Sequence, residues 1–222
     1  MPPAAQHVAL LVPAAYLLGS VPFGLIVGKS KGVDPRKAGS GNIGATNVGR
    51  LLGKKFFAIV FALDLLKGFA PMCVAGWVLR DASEDRSKYL MWLTVGLAAI
   101  LGHMFSVFLG FKGGKGVATS AGVLLGLWPY YTIPGLIATA VWVLCFLKWR
   151  YVSLASILGA IALPVAYVLV ALAMRWDLLG SQLYLLIFAV VVASLIVYRH
   201  RGNIVRLRAG TELRAGHVKG AV

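Results

Sequence analysis

The 222 residues are 59% hydrophobic and only 13% charged, with a mean hydropathy of +0.84. Soluble domains are nearer half apolar and a quarter charged, so this composition excludes a soluble globular domain and indicates an integral membrane protein. The net charge of +15 would suggest a nucleic-acid partner in a soluble protein. In a membrane protein, topology signals and anionic lipid explain it better, and no nucleic-acid partner is expected. The cations also suit an anionic substrate, and composition does not separate these two interpretations.

Six long apolar runs predict the membrane-spanning helices. In chain order they cover residues 7–28, 56–79, 89–111, 117–147, 152–174 and 179–198. Runs of this length exceed the core helices of soluble proteins, and they do not alternate as the strands of a membrane barrel would. The first run has no cationic segment before it, so we interpret it as a retained span and not as a cleaved signal peptide.

The fourth run is long enough for two helices. It carries no formal charge, and its middle contains the segment 128–134, WPYYTIP. Aromatic side chains at headgroup level and helix-breaking prolines predict an interfacial turn there, which gives about seven crossings in total. The half before the turn, residues 117–128, is short for the bilayer core, so a tilted or re-entrant helix is the alternative.

The positions of the charges predict the orientation of the spans. With the N-terminus outside and about seven crossings, most of the 22 lysines and arginines, from Lys29 to Lys219, fall on the inner side. The outer loops keep a few cations that nearby carboxylates balance: Arg80, Arg86, Lys88 and Arg175 with Asp81, Glu84, Asp85 and Asp177. A six-crossing chain would place the Lys112 and Lys148 loops on opposite sides. The sequence therefore predicts one all-α membrane domain over residues 1–222, with its C-terminus in the cytoplasm.

Four polar patches lie on the inner side of this topology, and the first is Gly39–Arg50. Its glycines allow tight turns and expose backbone amides to an anion. Arg50 can bind an anion through two donors. The neutral hydrogen-bonding side chains of the patch are Ser40, Asn42, Thr46 and Asn47. The alternative is an ordinary polar loop with a helix N-cap before Leu51.

The second patch is an ionisable pair inside the second span. Asp64 and Lys67 are three residues apart and therefore share a helix face. Charged groups at this depth are costly, so they either pair or serve function. A purely structural ion pair is the alternative to a functional role.

The third patch joins Gly102 and His103 to the segment Phe111–Thr119, which precedes a predicted helix. It resembles a P-loop only superficially, because Leu109 and Gly116 stand where the first glycine and the Ser/Thr should be. Glycine amides, a helix N-terminus and lysines nevertheless all favour phosphate. The residues concerned are Lys112, Gly113, Gly114 and Lys115. For His103 a helix-packing role is the alternative.

The fourth patch, Arg199–Glu212, follows the last span directly. A basic tail that binds anionic lipid is the alternative, but it would not need Asn203, Gly210 or Glu212, which favours an ordered segment. The patches contain no pair of carboxylates, no His/Cys cluster with zinc spacing and no His-x4-Asp motif. They predict a site that binds and polarises anions without a metal or cofactor.

In this order and spacing, the patches resemble the bacterial acyl-phosphate:glycerol-3-phosphate acyltransferase family. The resemblance rests on GSGNIGATNVGR, DLLKG, GHMFSVFLGFKGGKGVAT and HRGNIVRLRAGTE, which with the span pattern cover nearly the whole chain. Ser106 stands where the family commonly has proline, and Gly49 where a large apolar residue is more usual. We interpret both as packing positions.

The resemblance implies a seven-helix protein of the bacterial inner membrane with a cytoplasmic active site. It implies transfer of a fatty acyl group from long-chain acyl phosphate to the sn-1 hydroxyl of glycerol 3-phosphate, which gives lysophosphatidic acid and inorganic phosphate for phospholipid biosynthesis. A peripheral phosphate acyltransferase that makes the acyl phosphate is a candidate partner. A membrane transporter for phosphorylated solutes is the alternative function, and a non-catalytic lipid-binding scaffold is a third.

The same resemblance implies a role for each polar residue. The phosphate of glycerol 3-phosphate is assigned to Ser40, Arg50 and Lys115, with Lys112, Gly113 and Gly114 beside it. Positioning of the hydroxyl and of the acyl-phosphate head is assigned to Asn42, Thr46, Asn47, His200 and Asn203, and a supporting shell to Lys67, His103, Arg206 and Glu212. Because acyl phosphate is already an activated anhydride, proximity and charge stabilisation suffice, and a phosphate oxygen of a substrate is a candidate base.

Overall fold

The computed structural model describes residues 3–82, 86–180 and 182–216, and within these ranges the regular structure is helical. The long helices are α1 Pro3–Ser20, α4 Lys54–Val78, α5 Arg86–Met104, α7 Thr132–Trp149, α8 Val152–Ala173 and α9 Leu183–Arg199. The shorter ones are α2 Phe23–Lys29, α3 Ala45–Leu52, α6 Val117–Gly126 and α10 Arg201–Arg208, with a 3-10 turn at Val107–Leu109. The prediction of an all-helical protein is confirmed for the described residues.

The long helices have the length and composition of membrane spans. Five segments qualify: His7–Lys29, Lys54–Val78, Ser87–Leu109, Thr132–Trp149 and Val152–Ala173. A sixth span results if α9 and α10, which meet at 57°, are counted as one bent span. The predicted turn in segment 128–134 is confirmed, since α6 ends at Gly126 and α7 begins at Thr132. With 10 residues, α6 is about 15 Å long, half the thickness of the hydrocarbon core.

Small residues allow neighbouring helices to approach closely. α1 lies along α5, where a Cβ added to Gly102 would meet the carbonyl oxygen of Tyr16 at 2.2 Å. α4 lies along α6, where a Cβ added to Gly68 would meet the carbonyl oxygen of Thr119 at 2.2 Å. Contacts between small residues are typical of helix pairs in membranes, where burial of apolar surface from water cannot drive the association.

The distribution of side chains is that of a protein surrounded by lipid. Leu10, Leu144 and Leu172 are 65–72% exposed, whereas Asp64 and Lys67 are each only 3% exposed. Large apolar side chains on the outside and ionisable groups inside reverse the pattern of a soluble protein.

The short helices α3 and α10 lie at the charged end of the bundle, where α6 and α8 begin and α9 ends. The first polar patch forms α3, whose Ala45 and Val48 are buried. The helix therefore starts well before Leu51, the position at which the alternative interpretation, an ordinary polar loop, placed the start of a helix. Three charges used to predict the topology, Glu84, Asp85 and Lys219, lie outside the described residues.

Candidate active site

An open cleft at the charged end brings the first and fourth polar patches together. Its volume is about 230 Å³, and it is lined by Gly39, Ser40, Arg50, Arg206, Thr211, Glu212 and Leu213. Gly39, Ser40 and Arg50 come from the first patch, and the others from α10 and the segment that follows it. Two of the residues predicted to bind phosphate, Ser40 and Arg50, therefore line one cleft.

Arg50 presents an unused donor at this cleft. Its Nη2 donates to the carbonyl oxygen of Leu213 at 3.2 Å. Its Nε is buried and, among the described residues, has no hydrogen-bond partner. Burial lowers the pKa of Arg50, and the carboxylate of Glu212 opposes that shift. Arg50 as a whole is half-buried and lines the cleft, and a guanidinium with an unused N–H at such a place is suited to bind an anion.

Asn47 holds the first patch in shape from within. It is 1% exposed, and its Nδ2 donates to the carbonyl oxygens of Pro35, Ala38 and Asn42 at 2.8–3.1 Å, while its Oδ1 accepts from the backbone amide of Ser40 at 2.8 Å. All of these partners are backbone groups. Asn47, assigned above to positioning the hydroxyl and the acyl-phosphate head, therefore has a side chain that fixes the loop presenting Ser40.

The other residues of this patch have more open positions. Ser40 is exposed and lines the cleft. The Oδ1 of Asn42 accepts from the amide of Gly44 at 2.8 Å, which closes a local turn before α3. Thr46 lies in the first turn of α3, four residues before Arg50 and on the same helix face.

Glu212 forms the centre of the hydrogen-bond network beside the cleft. Its Oε1 accepts from the hydroxyl of Ser153 at 2.7 Å and from Nδ2 of Asn203 at 2.6 Å, and its Oε2 accepts from Nε of Arg206 at 2.7 Å. These bonds keep the pKa of Glu212 below its usual value although burial raises it. The carboxylate therefore stays charged and joins α8, α10 and the tail.

Lys115 reaches the same network from the third patch. Its Nζ donates to Oδ1 of Asn203, whose Nδ2 is bound to Glu212. Burial lowers the pKa of Lys115 to about 8, helped by the cations of Arg206 and Arg50 and opposed by Glu212. The prediction that Ser40, Lys115 and Asn203 lie at one end of the protein agrees with this network.

His200 lies between α9 and α10 and is 2% exposed. Its Nδ1 is 2.8 Å from the carbonyl oxygen of Ile196. A carbonyl oxygen can only accept, so Nδ1 carries the proton and, in the neutral ring, Nε2 is the nitrogen with a free lone pair. The fold thus fixes the tautomer that can accept a proton at Nε2.

The glycines of the third patch do not offer their amides to a ligand. Gly113 N donates to the Met104 carbonyl at 3.1 Å, and Gly114 N donates to the His103 carbonyl at 3.0 Å. A Cβ at Gly114 would lie 2.2 Å from Nε2 of His103. In this conformation both amides are taken up by the protein, and glycine is needed because the loop runs so close to the end of α5. The assignment of Gly113 and Gly114 to the substrate phosphate stays a prediction. Lys112, two residues before Gly114, is exposed.

The second patch forms a closed cluster deeper in the bundle. Lys67 Nζ lies 2.9 Å from Oδ1 of Asp64, which is the ion pair given above as the alternative to a functional role, and it also donates to the Val21 carbonyl at 2.9 Å. His103 Nδ1 lies 3.6 Å from the same carboxylate oxygen. The cluster does not line the cleft. It supports the loop above it, because the His103 ring packs against Gly114.

Residues 209–216, which we call the C-terminal strap, cross the cleft and return to the start of α8. Ala215 N donates to the Arg150 carbonyl at 2.8 Å, and Arg214 Nε donates to the Tyr151 hydroxyl at 3.1 Å. Together with the contact between Leu213 and Arg50, these bonds hold the strap against the bundle. The expectation that this segment is ordered is confirmed.

Three residues that the sequence analysis did not single out belong to the site. Thr211 and Leu213 line the cleft, and Ser153 binds Glu212. Ser153 is the second residue of an apolar span, where a serine is an ordinary helix-start residue. Its partner lies 59 residues away in the chain, so no local signal could have identified it.

The two departures from the family pattern are packing positions, as expected. Ser106 is buried and donates to the Ser20 carbonyl at 2.6 Å. A Cβ at Gly49 would already lie 2.6 Å from Cβ of Phe57, so a larger residue requires α3 and α4 to move apart. Within the described ranges, no group of three or more His, Cys, Asp and Glu side chains could hold a metal ion.

Comparison with known proteins places this architecture in a family. The sequence pattern of the family described as glycerol-3-phosphate acyltransferase matches residues 9–210. A glycerol-3-phosphate acyltransferase of Geotalea daltonii is 47% identical over 204 residues, covering 91% of this chain and 95% of its own. One of Aquifex aeolicus is 48% identical over 204 residues, covering 92% and 97%.

Two solved structures extend the similarity to the fold. Both are of PlsY, described as an integral membrane glycerol 3-phosphate acyltransferase. Its glycerol 3-phosphate form gives a TM-score of 0.80 at 45% identity, covering 95% of this chain and 96% of that chain. Its lysophosphatidic acid form gives a TM-score of 0.77 at 45% identity, covering 94% and 95%. The match over nearly the whole chain, in sequence and in fold, means that this protein belongs to the glycerol-3-phosphate acyltransferase family.

Proposed function

We propose that this protein transfers a fatty acyl group from acyl phosphate to the sn-1 hydroxyl of glycerol 3-phosphate. The observation that carries the proposal is the cleft that Arg50 and Arg206 line, with Lys115 beside it and Glu212 as the only carboxylate among the described residues that line it. This excess of cations suits a substrate bearing a phosphate dianion. The related structures are described with glycerol 3-phosphate and with lysophosphatidic acid, a substrate and a product of such a reaction.

The reaction needs no covalent intermediate with the protein. The sn-1 hydroxyl oxygen attacks the acyl carbon of the acyl phosphate and forms the ester bond. The bond from that carbon to the phosphate oxygen breaks, and inorganic phosphate leaves with the electron pair. The products are lysophosphatidic acid and phosphate, and the hydroxyl proton goes to a base. The protein contributes proximity and stabilises the negative charge on the acyl oxygen and the leaving phosphate.

Two groups are candidates for the base. One is an oxygen of the departing phosphate, and the other is Nε2 of His200, whose lone pair is set by the bond of Nδ1 to Ile196. In the first case His200 only orients the substrate, and a residual rate survives its removal. In the second case the pH dependence of the rate follows the ionisation of His200.

The phosphate of glycerol 3-phosphate is placed against Ser40 and Arg50, which line the cleft, and Lys115, which approaches from the glycine-containing loop. Asn203 and Glu212 hold Lys115 in place, and Arg206 pairs with Glu212. Lys112, exposed near this loop, adds positive charge that attracts the substrate without a fixed contact.

The proposed arrangement in the membrane rests on the distribution of lysines and arginines between the two ends of the spans. We place the protein in the bacterial inner membrane with about seven crossings, an outside N-terminus and a cytoplasmic cleft. In this topology α6 is the short fourth crossing in chain order. Cysteines introduced at positions 112 and 149 are expected to react with an impermeant reagent from the same side of sealed vesicles. Labelling from opposite sides would reject this topology.

The activity is tested with purified protein, labelled glycerol 3-phosphate and two acyl donors. We expect palmitoyl phosphate to give lysophosphatidic acid and free phosphate, and palmitoyl-CoA to give much less. Equal rates with both donors would overturn the choice of donor. Reconstituted vesicles test the alternative, since a transporter would move labelled glycerol 3-phosphate unchanged and release no phosphate.

A further inference from the structure

Arg199, the last residue of α9, makes contacts that the proposed reaction does not use directly. Its Nε donates to the carbonyl oxygen of Gly114 at 3.0 Å, and its Nη2 donates to that of Gly113 at 2.6 Å. Its guanidinium lies 5.3 Å from the centre of the Phe105 ring. A planar fork bound to two successive carbonyls defines both the position and the direction of that stretch of backbone.

The loop at this point is held on both sides. The amides of Gly113 and Gly114 donate to the end of α5, and their carbonyls accept from Arg199. Neither peptide is free to rotate while these bonds are present. Lys115 follows immediately, so the direction in which its side chain leaves the backbone is set by the two peptides before it.

The segment that holds the loop also holds the end of the lysine side chain. Asn203, four residues after Arg199, accepts from Lys115 Nζ. His200 is the residue next to Arg199 in the chain. The junction between α9 and α10 therefore grips both the backbone before Lys115 and the ammonium group at its tip.

We propose that Arg199 is a positioning residue for Lys115: its guanidinium holds the carbonyls of Gly113 and Gly114 and thereby directs the lysine toward Asn203 and the cleft. Arg199 does not line the cleft, so it acts through Lys115 and not on the substrate. The proposal rests on the proposed function, because it assigns Lys115 to the substrate phosphate.

A double-mutant cycle tests this coupling. In the wild-type background, Arg199→Gln is expected to lower kcat/KM for glycerol 3-phosphate by about tenfold, mainly through KM. In a Lys115→Met background the same change is expected to cost less than about twofold, because the residue through which Arg199 acts is gone. Arg199→Lys keeps the charge but not the two parallel donors, so an intermediate loss is expected.

Arg201→Gln is the matched control. Arg201 is exposed, and its guanidinium lies over the ring of Tyr198. It lies two residues from Arg199 and carries the same charge, and its loss is expected to leave kcat/KM unchanged. Equal losses in the two backgrounds of the cycle, or a loss in Arg201→Gln as large as in Arg199→Gln, would overturn the proposal.

Amide hydrogen exchange separates this inference from the function itself. In Arg199→Gln, exchange in the segment 111–117 is expected to speed up about tenfold, and in Arg201→Gln to stay as in the wild type. Unchanged exchange in Arg199→Gln overturns the positioning role, whatever the activity. If Lys115→Met is inactive and the double-mutant cycle gives no rates to compare, the exchange measurement decides the proposal. If the wild-type protein shows no acyl transfer, the proposed function is rejected. Faster exchange in Arg199→Gln would still support the role of Arg199 in holding the loop.

Discussion

Two groups of charged side chains in this protein differ in how they are buried and paired. In the first, Asp64 and Lys67 pair within α4, with side chains only 5% and 2% exposed, and His103 approaches the same carboxylate. In the second, at the cleft, Glu212 is 6% exposed but its partner Arg206 is 42% exposed. Arg50 keeps an unused donor there, and Lys115 adds another cation.

This difference indicates that the inner charges stabilise the helix bundle, whereas the charges at the cleft are suited to bind an anionic ligand. In the inner group the one carboxylate is matched by Lys67, whose remaining hydrogen-bonding capacity goes to the Val21 carbonyl. At the cleft the cations exceed Glu212, the one carboxylate among the described residues that line it, and in the proposed function a substrate phosphate supplies the missing negative charge. The inner group should therefore respond to mutation through stability, and the cleft through substrate affinity.

The largest expected effect comes from breaking the inner pair. Lys67→Met leaves the carboxylate of Asp64 without its partner in a region of low dielectric, and should cost about 3–5 kcal/mol of stability. The measurement is the thermal unfolding midpoint in detergent. The double variant Asp64→Asn/Lys67→Met should be more stable than Lys67→Met, because no uncompensated charge remains. Asp81→Asn breaks an exposed pair with Arg80 and serves as the control, with little change expected. A double variant less stable than the single one would contradict this interpretation.

The next effect comes from removing Arg50, a cation without a carboxylate partner in the described part of the chain. Arg50→Ala should raise KM for glycerol 3-phosphate and lower kcat/KM about 100-fold, since a charge-assisted pair of hydrogen bonds to phosphate is lost. Stability should change little. Steady-state kinetics with palmitoyl phosphate as donor measures it. Arg36→Ala, at an exposed arginine paired with Asp34 at 2.6 Å, is the control and should behave as wild type. A similar KM in both variants would exclude Arg50 from the phosphate site.

The variant His200→Ala tests whether the histidine orients the substrate or accepts the proton of the hydroxyl group. If the histidine orients the substrate, kcat should fall by about 10- to 100-fold and a measurable rate should remain, because a misplaced reactant costs up to about 100-fold in rate. The pH–rate profile of the residual activity should keep its shape. A profile whose acidic limb disappears in His200→Ala would instead identify the histidine as the base.

The smallest effect is a dependence on pH that only the cleft should show. The pKa of Lys115 is lowered to about 8 by burial, so the lysine loses its charge as the pH rises through that value. Above pH 8, kcat/KM for glycerol 3-phosphate should therefore fall by up to about tenfold per pH unit, whereas below pH 8 it should stay constant. Lys115→Arg stays charged over this range and should remove the fall. A fall that persists unchanged in Lys115→Arg would assign it to another group.

The sequence was sufficient for the parts of the fold that follow from local patterns. Apolar length predicts the spans, and the prolines and aromatic residues of segment 128–134 predict the division between α6 and α7. The convergence of the first, third and fourth patches could also be predicted, because all of them follow or precede spans on the side rich in cations. The helix α3 could not, because its two buried apolar residues are spread among glycines and polar residues.

The roles of individual polar residues were harder to predict, because tertiary contacts decide them. Asn47 looks like a substrate ligand in the sequence, yet backbone carbonyls that surround it take up its amide. Gly113 and Gly114 look like a phosphate-binding loop, yet the end of α5 accepts their amides. Ser153 and Arg199 have ordinary sequence surroundings, and their partners lie 59 and 85 or more residues away.

The C-terminal strap has a consequence for how the protein is made. Arg50 of α3, Ser153 at the start of α8 and Asn203 of α10 all bind Leu213 or Glu212, which follow every span in the chain. The spans are therefore synthesised before the strap that joins them. Until the strap has been made and has docked, the cleft of a nascent chain lacks one of its walls, and Arg206 lacks its carboxylate partner.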